Sequence, residues 1–298
     1  MTTMTTTEHR VTTELSGRPL AAEIRRHAGE RAAALGAAGV PPKLVVVTAT
    51  DDGSTLWYVR SIAKAAAAVG IACDITDLGP SASRTLVRDT LRALNRDDDV
   101  HGIILQTPLP EGMSPAELAV EIDPDKDVDG ANPASLGRCA AGLPGFAPAT
   151  AEAVVRLLDH HGVDPVGRDI TMVGRSVVVG TPVALLLLER HATVTVCHSL
   201  TDDLEGHTSA ADIVIVAAGV PRLIAADHVG AGAVVIDVGT NATEDGLVGD
   251  VDADAVDGIA GALTPVPGGV GPVTTALLLD HTVQAADRAA DSRPEVHQ

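Results

Sequence analysis

Aromatic rings are nearly absent from this sequence. Trp57, Tyr58 and Phe146 are the whole set, 1% of 298 residues, and a base-stacking nucleic-acid surface cannot be assembled from so few. Positive charge is also scarce. The 21 Lys and Arg face 40 Asp and Glu, a formal net charge of −19, and a phosphate lattice would be repelled by such a chain. Lysine occurs only as Lys43, Lys64 and Lys126, which limits where an amine catalyst can lie. No apolar run approaches the roughly 20 residues that span a bilayer, so no membrane segment is expected. Met1–Thr7 is threonine-rich rather than basic and then apolar, which argues against a secretory leader. Cys73, Cys139 and Cys197 are far apart and form no CxxC pair; they read as reduced thiols of a cytoplasmic protein without a disulfide framework. His160-His161 lacks a carboxylate at ligand spacing and reads as surface, so no metal is expected.

What is present is a well-filled apolar inventory, 45% of the chain. Short β-branched runs alternate with alanine- and leucine-rich segments of helical period, the pattern of a parallel α/β fold. Helices are predicted over 20–35, 58–69, 81–94, 115–122, 150–160, 181–190 and 273–290, and strands over 44–48, 71–78, 100–106, 170–173, 192–197, 213–218 and 234–238. Asn241–Gly249 has hairpin chemistry with Asp245-Gly246 as the turn. The polar tails, Met1–Thr13 and Asp291–Gln298, are expected to be mobile. Two α/β lobes with a cleft between them is the economical architecture.

In the second half, the strand at 170–173 runs into Gly174-Arg175-Ser176-Val177-Val178-Val179-Gly180 and then into a helix. A strand, glycine turn and helix is where a Rossmann fold seats a pyrophosphate on helix N–H groups. The turn is not the full GxGxxG, because Ser176 stands at the second glycine, and an ordinary βα turn is its bland alternative. The following strand ends Cys197-His198-Ser199 without the carboxylate that bonds a ribose 2′-hydroxyl in NAD sites. Arg175 offers a planar fork for a 2′-phosphate, with Ser199 as a further donor. The combination favours NADP over NAD.

Three first-half segments and one later loop do not read as packing. Tyr58 is a candidate stacking platform for a planar ligand, with a half-buried core ring as the alternative. Gln106 closes an apolar strand at the carboxyl edge, where α/β sheets place ligands. Asp125-Lys126-Asp127-Val128-Asp129-Gly130 concentrates charge; it is a solvated turn or something more, and it lacks EF-hand spacing. The later loop, Thr264–Pro272, contains Pro267, Gly268, Gly269 and Val270, and such bare backbone suggests close approach of a ligand or another segment.

These motifs in this order resemble the bifunctional methylenetetrahydrofolate dehydrogenase/methenyltetrahydrofolate cyclohydrolase family. The resemblance runs from about Leu15 to about Ala286 and rests on Tyr58-Val59, His101–Pro110, Pro124–Gly130, Val173–Ser176, Val179-Gly180, Ala192–Ser199, Asp237–Asn241 and the Pro/Gly loop. It implies a folate-binding domain over 1–149 completed by a returning helix at 273–298, a Rossmann domain over 150–272, and a homodimer. It implies hydride transfer from 5,10-methylenetetrahydrofolate to NADP, then hydrolysis of the methenyl cation to 10-formyltetrahydrofolate. By position, Tyr58 would stack on the folate and Asp129 would bond the pterin. Gln106 would orient a catalytic lysine, and Pro267, Gly268, Gly269 and Val270 would wall the site. Gly174, Arg175, Ser176, Ser199 and Thr240 would hold NADP.

One departure outweighs the matches. The family lysine lies four residues after the tyrosine, and here that residue is Ile62. Tyr58 and Ile62 should share a helix face and look into one cleft, whereas Lys64 is rotated away by about 200°. Hydride transfer asks mainly for proximity and a dry site. Hydrolysis asks for proton movement, which an isoleucine cannot supply. The expectation is a dehydrogenase with weak or absent cyclohydrolase activity. Rivals are a fully bifunctional enzyme with Lys126 swung inward or a water network replacing the lost amine, and a catalytically silent folate- or NADP-binding paralogue. A shikimate-type dehydrogenase is a third, in which Lys126–Gly130 and Pro267–Pro272 would have no role.

Overall fold

The computed structural model describes residues 11–244 and 246–291. The tail residues 1–10 and 292–298, and Asp245 of the expected hairpin turn, lie outside the described residues.

The first lobe contains α1 (Arg18–Ala37), β2 (Lys43–Thr48), α2 (Gly53–Ala68), β3 (Ala72–Asp77), α3 (Arg84–Asn95), β4 (Gly102–Leu105), α4 (Pro115–Ala119) and α5 (Pro133–Ala140). They follow a two-residue strand, β1 (Thr13–Glu14). β3, β2 and β4 form a parallel three-stranded sheet in that order. Helix α2 begins five residues before the expected Tyr58, because the Asp52 carboxylate accepts the Thr55 N–H at 2.7 Å and starts the helix there. Helix α5 was not expected. Asn132 caps it through the Ala134 N–H at 2.7 Å, and Pro133 occupies the first turn where no donor is needed.

The second series is α6 (Ala149–His160), β5 (Asp169–Val173), α7 (Gly180–Glu189), β6 (Thr193–Cys197), α8 (Leu204–Ser209), β7 (Ile213–Val216), β8 (Val234–Asp237), β9 (Asn241–Thr243), β10 (Gly246–Val248), α9 (Ala253–Val256), β11 (Ala262–Leu263) and α10 (Val270–Asp291). β9 and β10 form the expected hairpin. The main sheet has the order β1-β11-β8-β7-β5-β6, and all its pairings are parallel. The chain leaves β5 to one side for β6 and then crosses to the other side for β7. The carboxyl edge between β5 and β7 is therefore a topological switch point.

The amino-terminal expectation needs correcting at its inner end. Thr12 and Thr13 are not mobile: Thr13 and Glu14 pair with Ala262 and Leu263, and the Thr12 hydroxyl donates to the Ala260 carbonyl at 3.0 Å. Backbone ladder bonds outweigh the polar composition of that stretch. Helix α10 then runs back onto α1, α6 and α2. A continuous apolar core joins Leu44, Val46 and Ile104 of the small sheet to Ile170, Met172 and Ile215 of the large one, through Leu277 and Val283 of α10. The alternate residues Val45, Val47 and Ile103 pack on the other face with Val87 and Leu91 of α3. Strands apolar on both faces are what a helix-covered parallel sheet requires.

Candidate active site

The carboxyl edges of the two sheets and the start of α10 enclose a cleft of about 790 Å³. Tyr58 reaches it from α2, Gln106 from the end of β4, and Thr240 from just beyond β8. Pro267, Gly268, Gly269 and Val270 form its wall as the chain enters α10. These sequence-predicted residues, spread over more than two hundred positions from Tyr58 to Val270, are brought together. Trp57 and Arg18 also line the cleft, and Trp57 is 70% exposed at its mouth. Arg18 was missed because an arginine at a helix start carries no pattern of its own.

Tyr58 is half-buried, and its hydroxyl lies near Thr275 of α10. Burial first, and the charge of Asp129 second, push its phenol up to about 12. Asp129 is not among the cleft-lining residues, but it lies close enough to Tyr58 to act on it electrostatically. Burial and then the neighbouring Asp127 raise the Asp129 carboxyl to about 7, with His281 opposing them.

The charged loop is not a solvated turn. Asp127 is fully buried and accepts from the N–H groups of Ala131 at 3.0 Å and Asn132 at 2.8 Å, and from the Ser135 hydroxyl at 2.6 Å. The Ile103 N–H donates to the Lys126 carbonyl at 2.8 Å, which lays the loop beside β4. Gly130 has φ +67°, and a Cβ there would strike the backbone of Pro148. On the inner side, His281 Nδ1 lies 2.8 Å from the Val128 carbonyl and Nε2 lies 3.0 Å from Glu152 Oε2. Burial alone would raise Glu152, but His281 and Arg156 bring it to about 2. Burial likewise opposes the imidazolium, and Glu152 outweighs it, so His281 is shifted upward. Neither residue was flagged by the sequence, since they lie 129 positions apart and share no motif.

A second constellation sits at the β5–β6 edge. Val173 and Cys197 are register partners, so Gly174-Arg175-Ser176 and His198-Ser199 leave the sheet side by side. The Gly174 N–H donates to the Cys197 carbonyl at 2.8 Å. Gly174 has φ +119°, and a Cβ would collide with the Ala217 carbonyl at the end of β7. Its bare backbone thus opens the switch point. The Ser176 hydroxyl accepts the Val179 N–H at 3.1 Å and shapes the turn into α7. Arg175 and Ser199 are exposed. Thr240 is not beside them but in the cleft, three strands along from β6, a separation of roughly 14 Å at about 4.8 Å per strand.

Residues 15–129 match the catalytic domain of the tetrahydrofolate dehydrogenase/cyclohydrolase family model, and residues 148–290 match its NAD(P)-binding domain. The chain belongs to the tetrahydrofolate dehydrogenase/cyclohydrolase family. It is 65% identical over 277 residues to the bifunctional protein FolD 1 of Rhodococcus jostii, covering 93% of each chain. Among solved structures it is similar to the bifunctional FolD methylenetetrahydrofolate dehydrogenase/cyclohydrolase of Campylobacter jejuni, with 40% identity, TM-score 0.90, and coverage of 93% of this chain and 99% of that one. The Trypanosoma brucei dehydrogenase-cyclohydrolase, solved with NADP cofactor and an inhibitor, is 34% identical with TM-score 0.90, covering 95% of this chain and 99% of that one.

In this member of the tetrahydrofolate dehydrogenase/cyclohydrolase family, Ile62 departs from the expected geometry. It shares a helix face with Tyr58 but does not line the cleft. It is 0% exposed and joins the core below the cleft floor. An aliphatic side chain has no reason to stay at a polar surface and packs inward. The lysines are placed elsewhere. Lys64 is exposed on α2, and Lys43 pairs with Asp74 at 2.9 Å. Lys126 is not swung inward: its ammonium donates to the carbonyls of Leu94, Asn95 and Asp97 at 3.3, 2.9 and 2.7 Å, closing the end of α3.

Proposed function

We propose that the chain is an NADP-dependent 5,10-methylenetetrahydrofolate dehydrogenase whose cyclohydrolase activity is weak or absent. The single observation that carries this reading is that, among the described residues, no lysine lines the cleft: Ile62 is sealed in the core and Arg18 is the one Lys or Arg on the cleft wall. A guanidinium stays protonated at neutral pH and cannot pass a proton back and forth. Tyr58 offers a ring face for the folate, Asp129 a carboxylate near it for the pterin, and the 267–270 wall excludes water. NADP, when bound, supplies the nicotinamide that accepts the hydride. The residues at the β5–β6 edge suit it: Gly174 gives backbone access, Arg175 and Ser199 face solvent where a 2′-phosphate would lie, and no carboxylate closes β6. With no lysine to orient, Gln106 is left to bond the substrate; in its absence its amide donates to the Thr107 carbonyl at 2.9 Å. The domain division at residues 149/150 and 272/273, the homodimer and a cytoplasmic location belong to the same proposal and rest on the resemblance and on the free thiols.

The test is a paired assay. Wild type should reduce NADP with methylenetetrahydrofolate while the methenyl absorbance persists, and Ile62→Lys should speed its loss at least tenfold. The same substitution should lower stability, because an amine is forced into a packed apolar site. The relatives named as bifunctional favour a second reading in which both activities persist; fast methenyl hydrolysis by wild type would establish it.

A further inference from the structure

Helix α10 buries one ionisable side chain, His281, 2% exposed. It is fixed at both nitrogens: Nε2 faces Glu152 of α6, and Nδ1 faces the Val128 carbonyl. Glu152 is itself held by Arg156, whose Nε and Nη2 lie 3.1 and 3.0 Å from Oε1. The chain Arg156–Glu152–His281 therefore ends on the peptide that joins Val128 to Asp129. The Phe146 ring packs against the imidazole, with centroids 5.0 Å apart, and the Arg288 guanidinium stacks over the Phe146 ring at 4.4 Å.

Apolar residues would join α6 to α10 at lower desolvation cost than a buried imidazole and carboxylate. What the pair adds is a directional hold on one carbonyl and a positive charge inside a loop of carboxylates. We propose that Glu152 and His281 are positioning residues for Asp129, fixing the Val128–Asp129 peptide so that the carboxyl group is presented beside Tyr58. This rests on the folate reading above. The titratable groups around the imidazole and Asp129 are Asp127 on the loop, Glu152 and Asp280 on α6 and α10, and Tyr58 on α2, while Arg156 pairs with Glu152 and Arg288 stacks on Phe146. Among them His281 is the cation acting directly on Asp129.

The experiment compares wild type with His281→Leu, His281→Asn and Glu152→Gln. Leucine removes both the hold and the charge. Asparagine keeps a short donor for the Val128 carbonyl without the charge. Glutamine at 152 keeps shape and lowers the charge on His281. Kinetic pH profiles are paired with NMR titration of ¹³C-labelled aspartate, Asp129→Asn assigning the resonance. The expected result is a folate KM at least tenfold higher in His281→Leu, substantial recovery in His281→Asn, and an NADP KM within twofold throughout. In all three variants the Asp129 titration and the acid limb should move upward by about one pH unit or more. An unmoved Asp129 titration, or equal losses toward folate and NADP, would overturn the proposal; should His281→Leu fail to fold, Glu152→Gln carries the same prediction. The titration needs no turnover. A wild type inactive on methylenetetrahydrofolate, with Asp129 still responding to His281, would remove the functional reading alone.

Discussion

The two ends of the candidate site, at the Gly174 turn and around Asp129, are built by opposite means. At the Gly174 turn the proposed working surface is backbone, opened by a missing Cβ and flanked by the exposed side chains of Arg175, Ser176 and Ser199. Around Asp129 it is side chains, most of them buried and ionisable, drawn from a loop, α2, α6 and α10 and held by one another. The first kind of site depends on shape and should fail sharply and independently of pH. The second depends on charge and should fail gradually, with a pH signature. Substitutions at each end can therefore be read as tests of that contrast.

The largest effect is expected at the backbone end. Gly174→Val would place a branched side chain against the Ala217 carbonyl in a left-handed conformation. NADP affinity should fall by about 1,000-fold or more, a loss of about 4 kcal/mol, to the same degree at pH 6 and pH 8 by calorimetric titration. A marked pH dependence of that loss would erase the distinction between the two ends.

Asp129→Asn should instead show itself through pH. Folding raises this carboxyl from 3.8 to about 7, so the folded chain keeps a proton that the unfolded chain releases. Stability from this group is full below about pH 4 and is lost as the pH climbs through about 7. The asparagine variant, free of that penalty, should be more stable than wild type at pH 8 by up to about 4 kcal/mol, and the gain should vanish near pH 4. Glu152 has the opposite sign: its carboxyl is depressed to about 2, so its contribution is present above about pH 4.5 and lost as the pH falls through 2. Thermal unfolding of wild type and Asp129→Asn at the two pH values separates these contributions.

The same contrast explains what could be read from the chain in advance. Strands β2 to β8 and the longer helices between them were legible because periodicity is local, whereas the short α5 and α8 were not. The Gly174 turn was legible because a strand, a glycine and a helix are contiguous. Tyr58, Gln106 and Pro267–Val270 were legible as motifs, each complete within a few residues. β1 was not: two residues carry no period, and its partner lies 249 positions away. The Glu152–His281 pair was hidden for the same reason. Ile62 was half legible, since helical spacing gives its face but not its depth, and depth is set by α10 packing above it.

Arg175→Ala sharpens the comparison from the cofactor side. An exposed guanidinium contributes through charge-assisted bonds to a ligand phosphate and leaves the fold untouched. NADP binding should weaken about 10–100-fold while NAD binding changes little and the melting temperature stays fixed. Equal losses for both nucleotides would mean that Arg175 meets the shared pyrophosphate rather than the 2′-phosphate.

Lys126→Met is the smallest change, and it bears on the amine that no described cleft residue supplies. The ammonium now answers three carbonyls at the end of α3, groups that a helix terminus would otherwise leave to solvent. Methionine keeps the stem and removes the donors, so the cost should be about 1–2 kcal/mol and a fall of a few degrees in melting temperature. Dehydrogenase turnover, and any residual methenyl hydrolysis, should be unchanged. If hydrolysis were present in wild type and disappeared with Lys126, the ammonium must leave α3 during turnover. The bifunctional reading would then hold through a lysine that in this structure is occupied elsewhere.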